Sequence, residues 1–268
     1  MKTFTIGKKK IVLKEEWMVG FITTWIVGLL AHAYRFFNFL PIWDSIYNFT
    51  GVGSTYTLGR WFLGYAGLIT SMFDLPWVNG AFSLFYISIV VILLTEMFEI
   101  KNKGMIVLCA AIFVSFPTVV SSFAYMYTAD AYLLAFLLAT LAVYLTWCVK
   151  KWGTIAGMVC LAFAMGIYQA YATVAIVLVL LYIIRQFVIE KLDFLEAVRK
   201  DLKYLGMLVG GAVLYAVILK ITLIRYNITL PGYQGIGALG IMSLGQYKAA
   251  LQKTLYHFRL ILGMEHGV

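Results

Sequence analysis

The sequence predicts an all-α polytopic membrane protein with about seven transmembrane helices and a long first outer loop carrying an interfacial helix. Three observations predict it. First, 63% of the 268 residues are hydrophobic and only 12% are charged, against about 25% charged in a soluble domain. A water-facing surface cannot be built from that composition. Second, apolar runs of about 17–25 residues recur with short interruptions between them. Such runs satisfy their backbone hydrogen bonds within each span, whereas a β-barrel shows short alternating segments. Third, the basic residues segregate by loop.

Each element follows in chain order. Spans are expected near 18–34, 79–98, 104–123, 131–149, 153–168, 171–188 and 204–224. The first follows a lysine-rich start with no small-residue cleavage site after it, so it reads as a retained span. Segment 61–73, WFLGYAGLITSMF, is too short to cross and reads as interfacial before Asp74 and Pro76 break it. After the seventh span, 243–262 reads as an amphipathic helix with Lys248, Lys253 and Arg259, lacking the apolar length to cross. The chain reads as a single transmembrane domain over 1–268, cut short after Gly267-Val268.

With the N-terminus in the cytoplasm, one side of these spans carries Lys2, Lys8, Lys9, Lys10, Lys14, Lys101, Lys103, Lys150, Lys151, Arg185, Lys191, Arg199, Lys200 and Lys203. The other side, before the seventh span, carries Arg35 and Arg60. Fourteen against two is a positive-inside signature. The net charge of +9 is thereby explained by topology and membrane lipid, with no need for a nucleic-acid partner. Cys109, Cys148 and Cys160 lie in or beside apolar spans without metal-ligand or CxxC spacing, and packing is their expected role.

The chemistry is expected on the outer side. The loop from about Arg35 to Val78 is far longer than the 2–8 residues usual between helices, and it holds Trp43, Asp44, Asn48, Arg60 and Asp74. Asp130 stands at the outer start of the fourth span, and Tyr168, Gln169 and Tyr171 sit in the turn after the fifth. Each has an ordinary reading beside the functional one. Asp44 and Asp130 suit helix caps, the Tyr and Trp residues an aromatic belt, Arg60 a snorkelling side chain, and Gln169 a polar turn residue. Lys220, within the apolar LYAVILKITLI, either snorkels or meets an anionic partner. His32 reads as a packed histidine. Asn48 and Asn227 match the glycosylation triplet, a weak signal by itself.

The stretches FFNFLPIWDSIYNF, TLGRWFLGY, YTADAYLLAFLLATLAVYL and GIYQAY together resemble the bacterial membrane glucosyltransferase family of the GtrII type, over roughly residues 18 to 225. The resemblance implies a GT-C-like, polyprenyl-phosphate-sugar-dependent enzyme that glucosylates O-antigen or a related surface polymer. It also implies a multi-pass protein of the bacterial inner membrane with its active site facing the periplasm or exterior. Its partners would be a polyprenyl-phosphate sugar donor, a surface polysaccharide or lipid-linked glycan acceptor, and membrane lipid. Members are usually longer, so the chain is expected to lack a C-terminal part that helps form the acceptor site. Asp44 and Asp130 are then the candidate catalytic acids, with Arg60, Trp43, Tyr168, Gln169 and Lys220 as substrate-binding candidates. A carboxylate suits deprotonation of an acceptor hydroxyl, and a guanidinium or ammonium suits the departing phosphate. No cofactor is assigned, and a divalent metal is left open. The competing class is a transporter or flippase of lipid-linked sugar, which would show broken helices or repeat symmetry at mid-membrane. A non-catalytic assembly subunit is a third.

Overall fold

The computed structural model describes residues 2–6, 9–47, 55–71, 73–191, 193–230 and 243–261. The chain divides into two compact units, Met1–Ile228 and Thr229–Val268. The first opens with an antiparallel hairpin, β1 (Lys2–Ile6) and β2 (Lys9–Leu13), with Thr3 opposite Val12. It is the one departure from the helical class among the described residues. The rest of that unit is helical: α1 (Glu15–Phe37), α2 (Trp43–Tyr47), α3 (Leu63–Ala66), α4 (Pro76–Met97), α5 (Lys103–Ser115), α6 (Pro117–Ser122), α7 (Met126–Cys148), α8 (Gly153–Ile167), α9 (Ala172–Arg185) and α10 (Phe194–Tyr226). The second unit contributes α11 (Leu244–Ile261).

Local chemistry sets the helix ends. Pro76 occupies the first turn of α4, where its missing N–H is not needed. Asn102 caps α5 by accepting from the Met105 N–H at 3.1 Å. Pro117 ends α5, because the residue before a proline is driven to extended backbone; Phe116 has ψ 139°. Asn227, at φ +50°, closes α10 in the left-handed conformation.

Five helical stretches are long and apolar enough to cross a membrane: Glu15–Phe37, Pro76–Met97, Lys103–Cys148, Gln169–Glu190 and Arg199–Tyr226. The third runs 46 residues, over twice what about 20 residues of span requires, and contains the break at Phe116-Pro117. α8 is apolar but shorter. At roughly 1.5 Å per residue, the 33 residues of α10 exceed a hydrocarbon core of about 30 Å. Its first turns, with Glu196, Arg199 and Lys200, are the polar excess.

α1 packs on α4 and α5, α4 on α7, α7 on α8 and α9, and α8 on α10. One end of this bundle collects ion pairs: Lys14–Glu96 at 2.6 Å, Lys103–Glu15 at 2.5 Å, and Arg185 with Glu99 at 2.8 Å and Glu190 at 3.0 Å. These join the start of α1, the end of α4, the start of α5 and the end of α9. The basic loops counted from the sequence therefore do lie at one end. The candidate residues of the first loop, α7 and the α8–α9 turn gather at the other.

The segment expected as an interfacial helix over 61–73 is only a single turn, α3, followed by consecutive turns to Ser71. Its start explains this: Trp61 and Leu63 are buried among α7, α8 and α10 side chains, which anchors the segment in the bundle, while Tyr65, Leu68, Ile69 and Phe73 beyond them are exposed. Asn48 lies outside the described residues.

Candidate functional site

Arg60 is presented by a turn that three other elements lock. Leu58 and Arg60 both donate backbone N–H bonds to Thr55 O, at 3.2 and 2.9 Å. Gly59 between them sits at φ +71°, a conformation that glycine alone adopts without strain. Gln169 reaches in from the α8–α9 turn and donates Nε2 to Leu58 O at 2.8 Å and to Tyr215 Oη at 3.0 Å. Tyr215, on α10, donates its hydroxyl to Gly59 O at 3.0 Å. The fit is close: a Cβ on Gly59 would lie 2.6 Å from Gln169 Nε2 and 2.8 Å from Tyr215 Oη. Beyond the turn, Phe62 N bonds Gly166 O at 2.8 Å, and the Trp61 ring rests on Gly166, leaving no room there for a Cβ.

The guanidinium of Arg60 lies 4.5 Å from the centre of the Tyr168 ring, and Nη1 donates to Tyr132 Oη at 3.2 Å. Tyr168 and Tyr132 stack on one another at 5.5 Å. Nε is buried and has no partner among the described residues, and no carboxylate among them pairs with this arginine. A cation over an aromatic face is worth about 0.5–2 kcal/mol, enough to hold the group in place while leaving its charge unneutralised. That is the electrostatic state an anion-binding site requires. Nearby, burial and then the Tyr65 hydroxyl push the Tyr56 phenol up to about 12, so it is a hydroxyl at neutral pH.

Asp130 is not at the helix end. It is the fifth residue of α7, 2% exposed, and accepts from Thr70 Oγ1 at 3.2 Å and Asn79 Nδ2 at 3.1 Å. Asn79 in turn accepts from Leu75 N at 2.9 Å. Asp130 therefore ties the segment 70–79 to α7, and the reading of it as a cap does not fit. Asp74, inside that segment, has both carboxylate oxygens buried. Burial drives its pKa above the usual carboxylate range, opposed by the Arg35 charge and the Ser45 hydroxyl. Arg35 itself donates Nε to Phe123 O at 2.8 Å, Nη2 to Ala124 O at 3.2 Å, and Nη1 to Leu40 O, pinning the end of α1.

Asp44 lies in the first turn of α2, exposed, where a negative charge suits the helix dipole. The helix begins at Trp43, so Asp44 is inside it and not its cap. Tyr127 feels the charges of both Asp44 and Arg60, which puts the acid and the base within electrostatic range of one α7 side chain. Trp43 is 72% exposed.

Of the residues singled out by sequence, Arg60, Tyr168 and Gln169 come together. Gln169 serves the backbone of the Arg60 turn through its amide nitrogen. Lys220 does not join them: it is exposed on α10, turned away from the Tyr215–Leu219 face that meets the Gly59 turn. His32 is buried against Val114 O at 2.9 Å, a packed histidine as expected. Sequence reasoning passed over Tyr132, Tyr215, Thr70 and Asn79. For Tyr132, Tyr215 and Asn79 the signal was a polar side chain inside an apolar span, the same signal that drew attention to Lys220; Thr70, in the 61–73 segment, carried none. Among the described residues no three His, Cys, Asp or Glu side chains come together in a group that could hold a metal ion.

Comparison with protein families matches the model described as Glucosyl transferase GtrII to residues 33–262. No curated protein and no solved structure matches the chain.

Proposed function

Because the chain belongs to the GtrII glucosyl transferase family, we propose that it transfers a glucosyl or similar hexosyl group from a polyprenyl-phosphate-linked donor to a cell-surface glycan. The reaction takes place at the outer face of a bacterial inner membrane crossed about seven times. The observation that carries this reading is Arg60, an unneutralised guanidinium seated on Tyr168 and Tyr132 at the end of the bundle away from the basic loops. A sugar phosphate supplies the anion that such a group lacks, and the surrounding tyrosines supply flat faces and hydroxyls for a pyranose.

Asp44 takes the proton from the acceptor hydroxyl, and the freed oxygen attacks the anomeric carbon of the donor sugar. The bond from that carbon to the phosphate oxygen breaks, and its electron pair leaves on the polyprenyl phosphate. Arg60 receives the growing phosphate charge through charge-assisted hydrogen bonds. Gln169 and Tyr215 hold the backbone that aims it. Asp130 supports the site through Thr70 and Asn79 and keeps the loop in register. Trp43 is assigned to the acceptor side of Asp44, and Lys220, turned away from the Arg60 turn, has no part in the step.

The test is direct. Purified protein in lipid, given polyprenyl-phosphate glucose and a surface glycan, transfers sugar, and Asp44→Asn lowers turnover by about 10²–10⁴-fold while donor binding persists. Asp44→Asn gives up only a first-turn charge, worth about 0.3–1 kcal/mol at an exposed helix start, so a turnover within a few-fold of wild type returns Asp44 to ordinary helix structure.

A further inference from the structure

The helix α11 (Leu244–Ile261) has no part in the reaction derived above. At 3.6 residues per turn, Leu244, Tyr247, Leu251, Leu255 and Phe258, with Ile261, fall on one arc of roughly 120°. Leu244, Tyr247, Leu251, Leu255 and Phe258 are all exposed. Lys248 and Arg259 border that arc on one side and Lys253 lies opposite it. No Asp or Glu occurs between 244 and 261. Gln246, Gln252 and His257 complete the polar side, which Tyr256 and Leu260 interrupt.

We propose that α11 lies in the plane of an anionic lipid–water interface, its Leu251 face among acyl chains and its three cations among lipid phosphates. The wide apolar arc and low overall hydrophobicity are those of a helix that lies on a membrane rather than crossing it. Charge selects the occupant. A second copy of α11 would bring three more cations and no anion to the same face, whereas anionic lipid neutralises them, each Lys or Arg near such a surface contributing roughly fivefold in partitioning. The tether helps as well. Only 17 residues separate Tyr226, the end of a span-length helix, from Leu244, so even a weak interfacial affinity acts at high effective concentration.

The experiment uses the full chain in lipid nanodiscs, with Cys109, Cys148 and Cys160 replaced by alanine and an environment-sensitive fluorophore on Leu251→Cys or Lys253→Cys. In phosphatidylglycerol-containing discs the label at 251 is shielded from an aqueous quencher while that at 253 stays accessible. Replacing Lys248, Lys253 and Arg259 together by Gln lowers partitioning roughly a hundredfold and exposes 251. Equal quenching at both positions overturns the proposal. So does shielding of 251 that is the same in pure phosphatidylcholine discs, which removes the anionic requirement. Shielding that appears only at high protein concentration in detergent assigns the face to a second copy, and shielding that needs an added acidic protein assigns it to a protein partner; either result overturns it too.

Discussion

Arg60 shows what a single residue contributes that its neighbours cannot. Its planar head lies over Tyr168 while one nitrogen donates to Tyr132, leaving the remaining donors for a phosphate. Lysine offers a point charge without the plane or the fork. Arg60→Ala is therefore expected to reduce sugar transfer about 10²–10³-fold, the usual cost of removing one donor to a developing oxyanion, and Arg60→Lys to recover only part of that. Steady-state kinetics with varied donor concentration measure both. Unchanged donor kinetics in Arg60→Ala would remove the phosphate role from Arg60. Arg60 was legible in the sequence because a lone cation in an outer aromatic loop needs a reason. Tyr132 was not, because a tyrosine at the end of an apolar span has the belt as its default explanation.

At the scale of elements, two small constructions hold the site, one for the Arg60 turn and one for segment 70–79. In the first, Tyr215→Phe removes the hydroxyl that donates to Gly59 O and accepts from Gln169. A buried carbonyl left without its partner costs about 1–3 kcal/mol. The expected result is a drop in kcat/KM of about tenfold or more, with membrane insertion intact and with the apparent donor affinity weakened as the turn loosens. In the second, Asp130→Ala leaves Thr70 Oγ1 and Asn79 Nδ2 without their acceptor, at about 1–3 kcal/mol each by the same argument. Its thermal midpoint in detergent should fall by several degrees, while Asp130→Asn, which keeps one acceptor oxygen, falls less. A wild-type midpoint for Asp130→Ala would show that the segment is held by packing alone. The sequence pointed to Asp130 but placed it at the helix end. The partners that explain its burial lie 60 and 51 residues away, and no local pattern links them. The length of α3 was misjudged for a related reason: Trp61 and Phe62 read as part of one interfacial helix, but the Phe62 N–H bonds Gly166 O and the Trp61 ring rests on the same glycine.

For the whole molecule, the charge count from the sequence and the ion pairs in the fold agree on which helix ends lie together. Hydropathy and loop charge are properties of the chain itself, which is why the bundle was legible. The hairpin β1–β2 was not, since its lysines read only as a basic leader. Labelling tests on which side of the membrane each end lies. A cysteine at position 38, in a background lacking the three native ones, should react with an impermeant maleimide added to intact spheroplasts, and one at position 150 only after lysis. The reverse pattern would invert the topology and with it the placement of the reaction. The lock on the Arg60 turn also has a meaning in time. Tyr215 and Gly59 are 156 residues apart, so at roughly 5–20 residues per second of synthesis the hydroxyl follows its carbonyl by about 8–30 s. Until α10 enters the membrane, every earlier helix can be inserted, yet the Arg60 turn is unfastened. If the proposed reaction is the one this chain performs, a nascent chain is kept from it by its own unfinished synthesis, and α10 is the helix whose arrival fastens the Arg60 turn.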